Sequence, residues 1–251
     1  MNNYQFAYGD GTVTLPLEGC NILGELHGSK VEPVKDIRAA LWDSLDEPIG
    51  SEALYKRVKA GDTVALIVSD MSRFWMRQDL VVPHLVDYLT QRCGVREAGI
   101  SVVIANGTHE GGSEQELRTL VTDAVYDRIH VENHDCDAAD LVYLGTTPHG
   151  TPVSINRTAA EADIVICLGA VTHHVMAGFG GGRKSILPGI SSRETIFHNH
   201  AFSLDAAQLR SNPAIGNGVL KGNPLHEDMC EAAGLVKDLF IINLVMNAQM
   251  Q

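Results

Sequence analysis

The chain is short of positive charge, of paired cysteines and of long apolar runs, and each shortage removes a class of function. Its 19 lysines and arginines face 31 aspartates and glutamates, giving a formal net charge of −12 at pH 7 and a sequence pI near 5.3. Such a surface repels nucleic-acid phosphates and anionic lipid headgroups, so neither nucleic acid nor a membrane is an expected partner. No stretch of about 18 apolar residues is present to span a bilayer. The polar opening MNNYQFAYGDG lacks the basic and apolar regions of a signal peptide, so a cytoplasmic location is expected. The five cysteines, Cys20, Cys93, Cys136, Cys167 and Cys230, are widely spaced and form no C-x-x-C. They suggest neither a disulfide framework nor a thiolate zinc knot, and read as reduced, with Cys167 in a buried strand. Internal repeats, low-complexity tracts and the H-E-x-x-H zinc signature are also missing.

What is present is a globular composition: 251 residues, 45% of them hydrophobic, enough for one large domain or two small ones. Short strands are expected around Tyr4–Phe6 and Thr12–Leu15, then a helix from near Pro33 to about Leu45. This irregular opening covers about residues 1–50. From there the pattern becomes regular. Ser51 can cap a helix running to Ala60, closed by Gly61, and Thr63–Ser69 (TVALIVS) is short and apolar enough for a buried strand. A helix from about Asp79 to Arg92, closed by Gly94, precedes a strand at Ile100–Ala105. Ser113 and Glu116 have the spacing of a capping box for a helix over Glu114–Val121. The apolar runs Leu141–Gly145 and Ile164–Leu168 complete the set, with a short helix at Thr158–Ala162 before the second. Strands alternating with helices imply an α/β, Rossmann-like fold, a parallel sheet with helices on both faces and ligand sites at the carboxyl ends of its strands. The chain then ends soon after an apolar, strand-like run, Leu239–Met246. A second, C-terminal domain beyond Gln251 is therefore expected, with residues 1–251 forming an N-terminal cofactor-binding and catalytic domain.

The strand-end rule selects three loops: Asp70-Met-Ser-Arg73, Asn106-Gly-Thr-His109 and Gly169-Ala-Val-Thr-His173-His174. All three end in polar or ionisable residues; any one of them could be polar only because it is wet. The richest segment is Gly178-Phe-Gly-Gly-Gly-Arg183-Lys184-Ser185-Ile-Leu-Pro188-Gly189. Its glycines allow positive φ and close backbone approach, and exposed N–H groups there can hold an anion. The Walker spacing places Gly178, Lys184 and Ser185 but has Arg183 where a glycine must precede the lysine, which argues against an NTPase. Nor does the segment open a dinucleotide fingerprint, having no well-placed acidic residue at the end of a second strand. The bland alternative is a tight glycine turn carrying a solvated Arg-Lys pair.

Eleven histidines occur, and six gather at or after these loops: His109, His173, His174, His198, His200 and His226. Imidazole exchanges protons near neutral pH and ligates late transition metals. Each taken alone is an ordinary capping or surface histidine. His198-Asn-His200 could chelate zinc, but a catalytic zinc site usually wants three protein ligands in a recognisable set.

Asp70-x-x-Arg73, Gly107-Thr-His109, His174 ten residues before Lys184 in AGFGGGRKSILPGI, His200, and Gly222-Asn-Pro-Leu-His-Glu-Asp228 together resemble the nickel-dependent lactate racemase family. The resemblance extends from about residue 60 to 230. The chain departs from it in a serine, Ser72, where a threonine commonly precedes the arginine, and in the second domain expected to close over the site.

The resemblance implies a racemase of lactate or a related small 2-hydroxy acid. Its implied cofactor is a nickel-pincer nucleotide, pyridinium-3,5-bisthiocarboxylic acid mononucleotide, which holds nickel through carbon and sulfur. Lys184 would be the covalent anchor through a thioamide, and His200 the protein ligand to nickel. Gly180, Gly181, Gly182 and Ser185 would line the cofactor, with Asp70 making cofactor or supporting contacts. Arg73 would hold the substrate carboxylate, and His109 and His174 would be the acid/base pair on opposite faces of the reacting carbon. Cofactor-biosynthesis proteins are the implied partners for loading. A racemase or epimerase of another 2-hydroxy acid, or a cofactor-holding domain without turnover, remain open alternatives. For Asp70 and Arg73 a local loop salt bridge is the plain alternative.

Overall fold

The computed structural model describes residues 3–28 and 30–247. A hairpin of β1 (Asn3–Tyr8) and β2 (Gly11–Pro16) opens the chain. After α1 (Ile37–Asp46) and the one-turn α2 (Leu54–Arg57), the chain enters the α/β body at β3 (Val64–Ser69). There follow α3 (Val82–Asp87), β4 (Ile100–Ala105), α4 (Glu114–Val121), α5 (Asp123–Tyr126) and β5 (His130–Asn133). A hairpin of β6 (Val142–Thr146) and β7 (Pro152–Ile155) precedes α6 (Arg157–Glu161) and β8 (Ile164–Ala170). Helices α7 (Arg193–Ala201) and α8 (Pro224–Gly234) lead to the last strand, β9 (Leu239–Leu244). No helix among the described residues is long and apolar enough to cross a membrane.

Five strands form one parallel sheet in the order β9-β8-β3-β4-β5. Strand side chains alternate between faces, so a wholly apolar run must be covered twice. That is the arrangement here. Val64, Leu66 and Val68 of β3 pack in one cluster with Leu41, Leu85, Val86, Leu117 and Leu120 from α1, α3 and α4. Ala65 and Ile67 pack in the other with Ala159, Ile196, Leu225 and Met229 from α6, α7 and α8. Helices on both faces of a parallel sheet are therefore dictated by the strand composition.

The elements differ from the sequence expectation where local signals were outvoted by packing. The run Leu141–Gly145 forms a strand, β6, but not one of the parallel sheet: it pairs antiparallel with β7 in a separate two-stranded sheet. Its side chains are half-exposed, Tyr143 most of all, and such a strand needs cover on one face only. The fifth sheet strand is instead β5, whose sequence HVEN is too short and polar to read as buried. Ser51 does not cap a helix to Ala60. Its hydroxyl donates to the Glu52 carbonyl, α2 spans a single turn, and Val58 turns extended to enter the core. The helix expected over Asp79–Arg92 is a 3-10 turn, then α3, then a wider π turn at Tyr88–Arg92, after which Gly94 adopts φ +76°. The capping box of α4 forms as expected, Ser113 and Glu116 each bonding the other's backbone N–H. The closing strand runs to Leu244, beside β8, and all five cysteines are free thiols.

Candidate active site

In the sheet order, β4 and β5 lie on one side of β3 and β8 and β9 on the other, so the direction of chain progress reverses between β3 and β8. Loops leaving the strands around such a switch point diverge and leave a crevice. Here the loops after β3, β4 and β8, together with Gly180–Gly189 and α7, enclose a cavity of about 350 Å³. Asp70, Arg73, His109, His174, Gly180, Gly181, Lys184, Ser185 and His200 all line it. Gly182 faces away from that space and gives its N–H to Asn243 Oδ1, 3.0 Å away. Of the other clustered histidines, His173 is exposed and packs its ring 5.0 Å from that of Phe179, His198 is exposed, and His226 lies beside the Cys230 thiol.

Asp70 stands at the N-cap position of a 3-10 turn, Met71–Met76, but its carboxylate caps nothing. One oxygen instead meets His109 Nδ1 at 2.5 Å, and the other accepts from the Ser72 hydroxyl at 2.5 Å. Ser72 Oγ in turn accepts from the Arg73 guanidinium. The direct Arg73–Asp70 separation is 3.8 Å, with Arg73 close to half exposed. A tight local ion pair is thus not what holds these residues; Arg73 keeps most of its donor fork for a ligand.

The glycine segment owes its path to close packing. A Cβ on Gly169, in β8, would lie 3.0 Å from Gly182 N and 3.1 Å from Gly181 Cα, so the loop crosses directly over the strand end. At Gly189 a Cβ would fall 2.2 Å from the Ser185 carbonyl oxygen. These contacts seat Lys184 in a 3-10 turn, Gly182–Ser185, with its amine at the cavity. Arg183 turns the other way and donates to the carbonyls of Ala177 and Phe179.

Positive charge dominates the cavity, and among its lining residues Asp70 is the one carboxylate. Burial, with Arg73 and Arg183 adding repulsion, lowers the Lys184 ammonium to about 8, so a substantial fraction is a neutral, nucleophilic amine near physiological pH. Burial, followed by the charges of Lys184, Arg73, His200 and Arg183, pushes His174 down to about 4. His200 is lowered by burial and by Lys184, against the opposing Ile196 carbonyl. Beneath the site, burial raises the Cys167 thiol to about 12, only partly offset by Ser185. It is a protonated core thiol, not a nucleophile.

The helix carrying His200 is locked from behind. Asp228, fully buried on α8, accepts from the hydroxyls of Thr147 at 2.5 Å and Thr151 at 2.9 Å and from Asn199 Nδ2 at 2.8 Å. Asn199 also donates to the Leu225 carbonyl, joining α7 to α8. Asp228→Ala takes the acceptor from two buried hydroxyls and one of the two acceptors from Asn199 Nδ2. It should cost about 3 kcal/mol or more of unfolding free energy, measured by urea denaturation. A midpoint equal to the parent's would show that the network holds nothing in place.

His200 belongs to no group of three potential metal-ligating side chains among the described residues. A metal held there must draw its remaining donors from a ligand rather than from the protein, which disfavours a protein-built zinc centre. Two residues the sequence did not single out, Trp75 and Phe197, add apolar surface to the walls, and outside the cavity Asn243, the polar residue in the otherwise apolar β9, holds the glycine loop.

The lactate racemase N-terminal domain family matches residues 8–211. The chain is 31% identical over 253 aligned positions to a lactate racemase of Thermoanaerobacterium thermosaccharolyticum, covering 99% of this chain and 57% of that protein. It is 32% identical over 243 positions to a lactate racemase of Lactiplantibacillus plantarum, covering 96% and 55%. The structure of the lactate racemase apoprotein from T. thermosaccharolyticum superposes with a TM-score of 0.85 at 29% identity, over 99% of this chain and 57% of that one. A Thermotoga maritima protein shares the fold alone, with a TM-score of 0.63 at 23% identity, over 83% of this chain and 50% of that one. The chain spans a little over half the length of the curated relatives it matches.

Proposed function

The chain belongs to the lactate racemase N-terminal domain family, and from that premise we propose that it carries the cofactor and acid/base groups of a racemase acting on lactate or a related small 2-hydroxy acid. The observation that carries this reading is the gathering of Arg73, His109, His174, Lys184 and His200 around one cavity at the switch point.

The residues fit a nickel-pincer nucleotide. Lys184 presents a partly neutral amine at the cavity, as a covalent anchor requires. His200 lines the same space and, among the described residues, carries no proton-demanding carboxylate partner, its burial and Lys184 favouring the neutral ring. Its imidazole would serve as the protein donor to nickel(II), the remaining donors coming from the cofactor. Gly180, Gly181 and Ser185 would line the group, and the surrounding cations would suit its phosphate. Asp70 serves this arrangement through His109. Bound there, the cofactor supplies a hydride acceptor, which suits a substrate whose α-hydrogen is barely acidic next to a carboxylate.

The chain's own residues do the rest. Arg73 orients the substrate carboxylate through a planar fork. His109 and His174, on loops after different strands, handle the hydroxyl proton on the two faces of the reacting carbon. Trp75 and Phe197 narrow the cavity and displace water from the reacting carbon. Nickel and cofactor reach the site with the help of cofactor-biosynthesis proteins.

This reading separates His200 from its neighbour His198, which is exposed and lies outside the cavity. In protein co-produced with those loading proteins, His200→Ala should lose most of its nickel while His198→Ala keeps the parental content, as measured by elemental analysis. Equal nickel in the two variants and the parent would remove His200 from the ligand set.

A further inference from the structure

The two cavity histidines meet opposite kinds of partner at Nδ1, a carboxylate at His109 and two main-chain N–H groups at His174. At His109, Nδ1 faces the Asp70 carboxylate. A carboxylate accepts, so in the neutral ring Nδ1 carries the hydrogen and Nε2 keeps its lone pair. At His174 the main-chain N–H groups of Met176 and Ala177 both donate to Nδ1, at 3.2 and 3.1 Å. Two donors leave that nitrogen no room for a hydrogen of its own. Turning the ring over would set a C–H against both N–H groups and leave them unpaired. In the neutral ring the hydrogen is therefore on Nε2, and the doubly protonated ring is excluded while these bonds last.

The turn that supplies the two N–H groups is itself built firmly. His174 pairs with Gly178 in a short antiparallel ladder. The buried Asn223, which caps α8, donates to the carbonyls of Met176 and Val219 and so fastens the turn to the next loop. A Cβ at Gly178 would fall 2.3 Å from the Val219 carbonyl oxygen, so that contact is close-packed.

We infer that the two histidines are unequal at rest: His109, held by Asp70, is the proton acceptor of the site, and His174 is a fixed hydrogen-bond donor through Nε2. Its consequence for turnover rests on the racemase reading. When the substrate hydroxyl faces His109, its O–H bond breaks and an N–H bond forms at Nε2; the resulting imidazolium charge faces Asp70. When the hydroxyl faces His174, no lone pair is presented, and Nε2–H donates to the oxygen instead. His174 accepts a proton only after its ring leaves the Met176 and Ala177 N–H groups. Asp70 is then a positioning residue, acting through His109.

The ring hydrogens belong to the chain itself and are read without cofactor, substrate or turnover. In the chain labelled with ¹⁵N-histidine, a two-bond ¹H–¹⁵N correlation spectrum at neutral pH distinguishes nitrogens with and without hydrogen. His109→Gln and His174→Gln each remove one set of signals and so assign the parent spectrum. His109 should show a protonated Nδ1 and a bare Nε2, and His174 the reverse. A hydrogen on Nδ1 of His174, alone or together with Nε2, overturns the inference, and so does a hydrogen on Nε2 of His109, alone or together with Nδ1. A neutron crystal structure of the parent reads the same hydrogens if a variant fails to fold. Failure here leaves the cofactor reading standing, because that reading fails on a different result, the absence of an adduct at Lys184.

Discussion

Replacing Lys184 with alanine should abolish any covalent cofactor adduct: protein co-produced with the loading proteins should have the bare mass, while the parent carries an added mass on the peptide containing Lys184. Lys184→Arg should fail in the same way, because a guanidinium stays protonated and offers no free amine lone pair. The neutral amine is the reactive form, and burial sets the Lys184 ammonium at about 8. Capture of the cofactor should therefore quicken as pH rises through about 8 and level off above it. An ordinary lysine, which titrates near 10.4, would still be gaining reactivity there. An adduct retained in Lys184→Ala would place the anchor elsewhere.

Loss of either cavity histidine should be the second large effect. His109→Ala and His174→Ala, in a loaded protein that racemises a 2-hydroxy acid, should each slow both directions by about 10² to 10⁴-fold, because each direction passes through both faces. Both variants should keep their nickel and their adduct, which separates this role from that of His200. Single-turnover oxidation distinguishes them further. His174→Ala retains the His109–Asp70 pair and should still oxidise the enantiomer whose hydroxyl faces it, whereas His109→Ala should not. Racemisation at the parental rate in either fully loaded variant would return that histidine to an ordinary loop role.

Much of the site could be read from the sequence because strand ends are legible. Apolar runs such as Val64–Ser69 and Ile100–Ala105 mark buried strands by composition, and the residues that follow them fall at one edge of the sheet. That logic led to the loops carrying Asp70, His109 and His174, while the choice of those residues, and of Lys184 in the glycine segment, came from the family resemblance. It could not show that Asp70 and His109, 39 positions apart, share a hydrogen bond. Nor does any side-chain pattern announce the two main-chain donors on His174, since backbone N–H groups leave no mark on residue type. Asn243 carried a weak signal, one polar residue in an apolar strand. Its purpose is visible only against Gly182, 61 positions away.

The errors in the fold have a common cause. A short strand is recognised by burial, and burial is a tertiary property. The run Leu141–Gly145 looked apolar enough for the sheet but pairs in a half-exposed hairpin, while the polar β5 takes the edge position. The helix expected from Ser51 stops after one turn because Val58 gains more from the core than from continuing the helix.

The central claim, that this chain supports inversion of a 2-hydroxy acid by removing and returning a hydride, is tested most directly with one enantiomer of lactate carrying deuterium at C2. Incubated in ordinary water with loaded protein, it should yield the opposite enantiomer with the deuterium still on C2, because a hydride held at the site does not exchange with solvent. Formation of the opposite enantiomer with hydrogen from water at C2, or no inversion by protein carrying its adduct and nickel, would contradict the account.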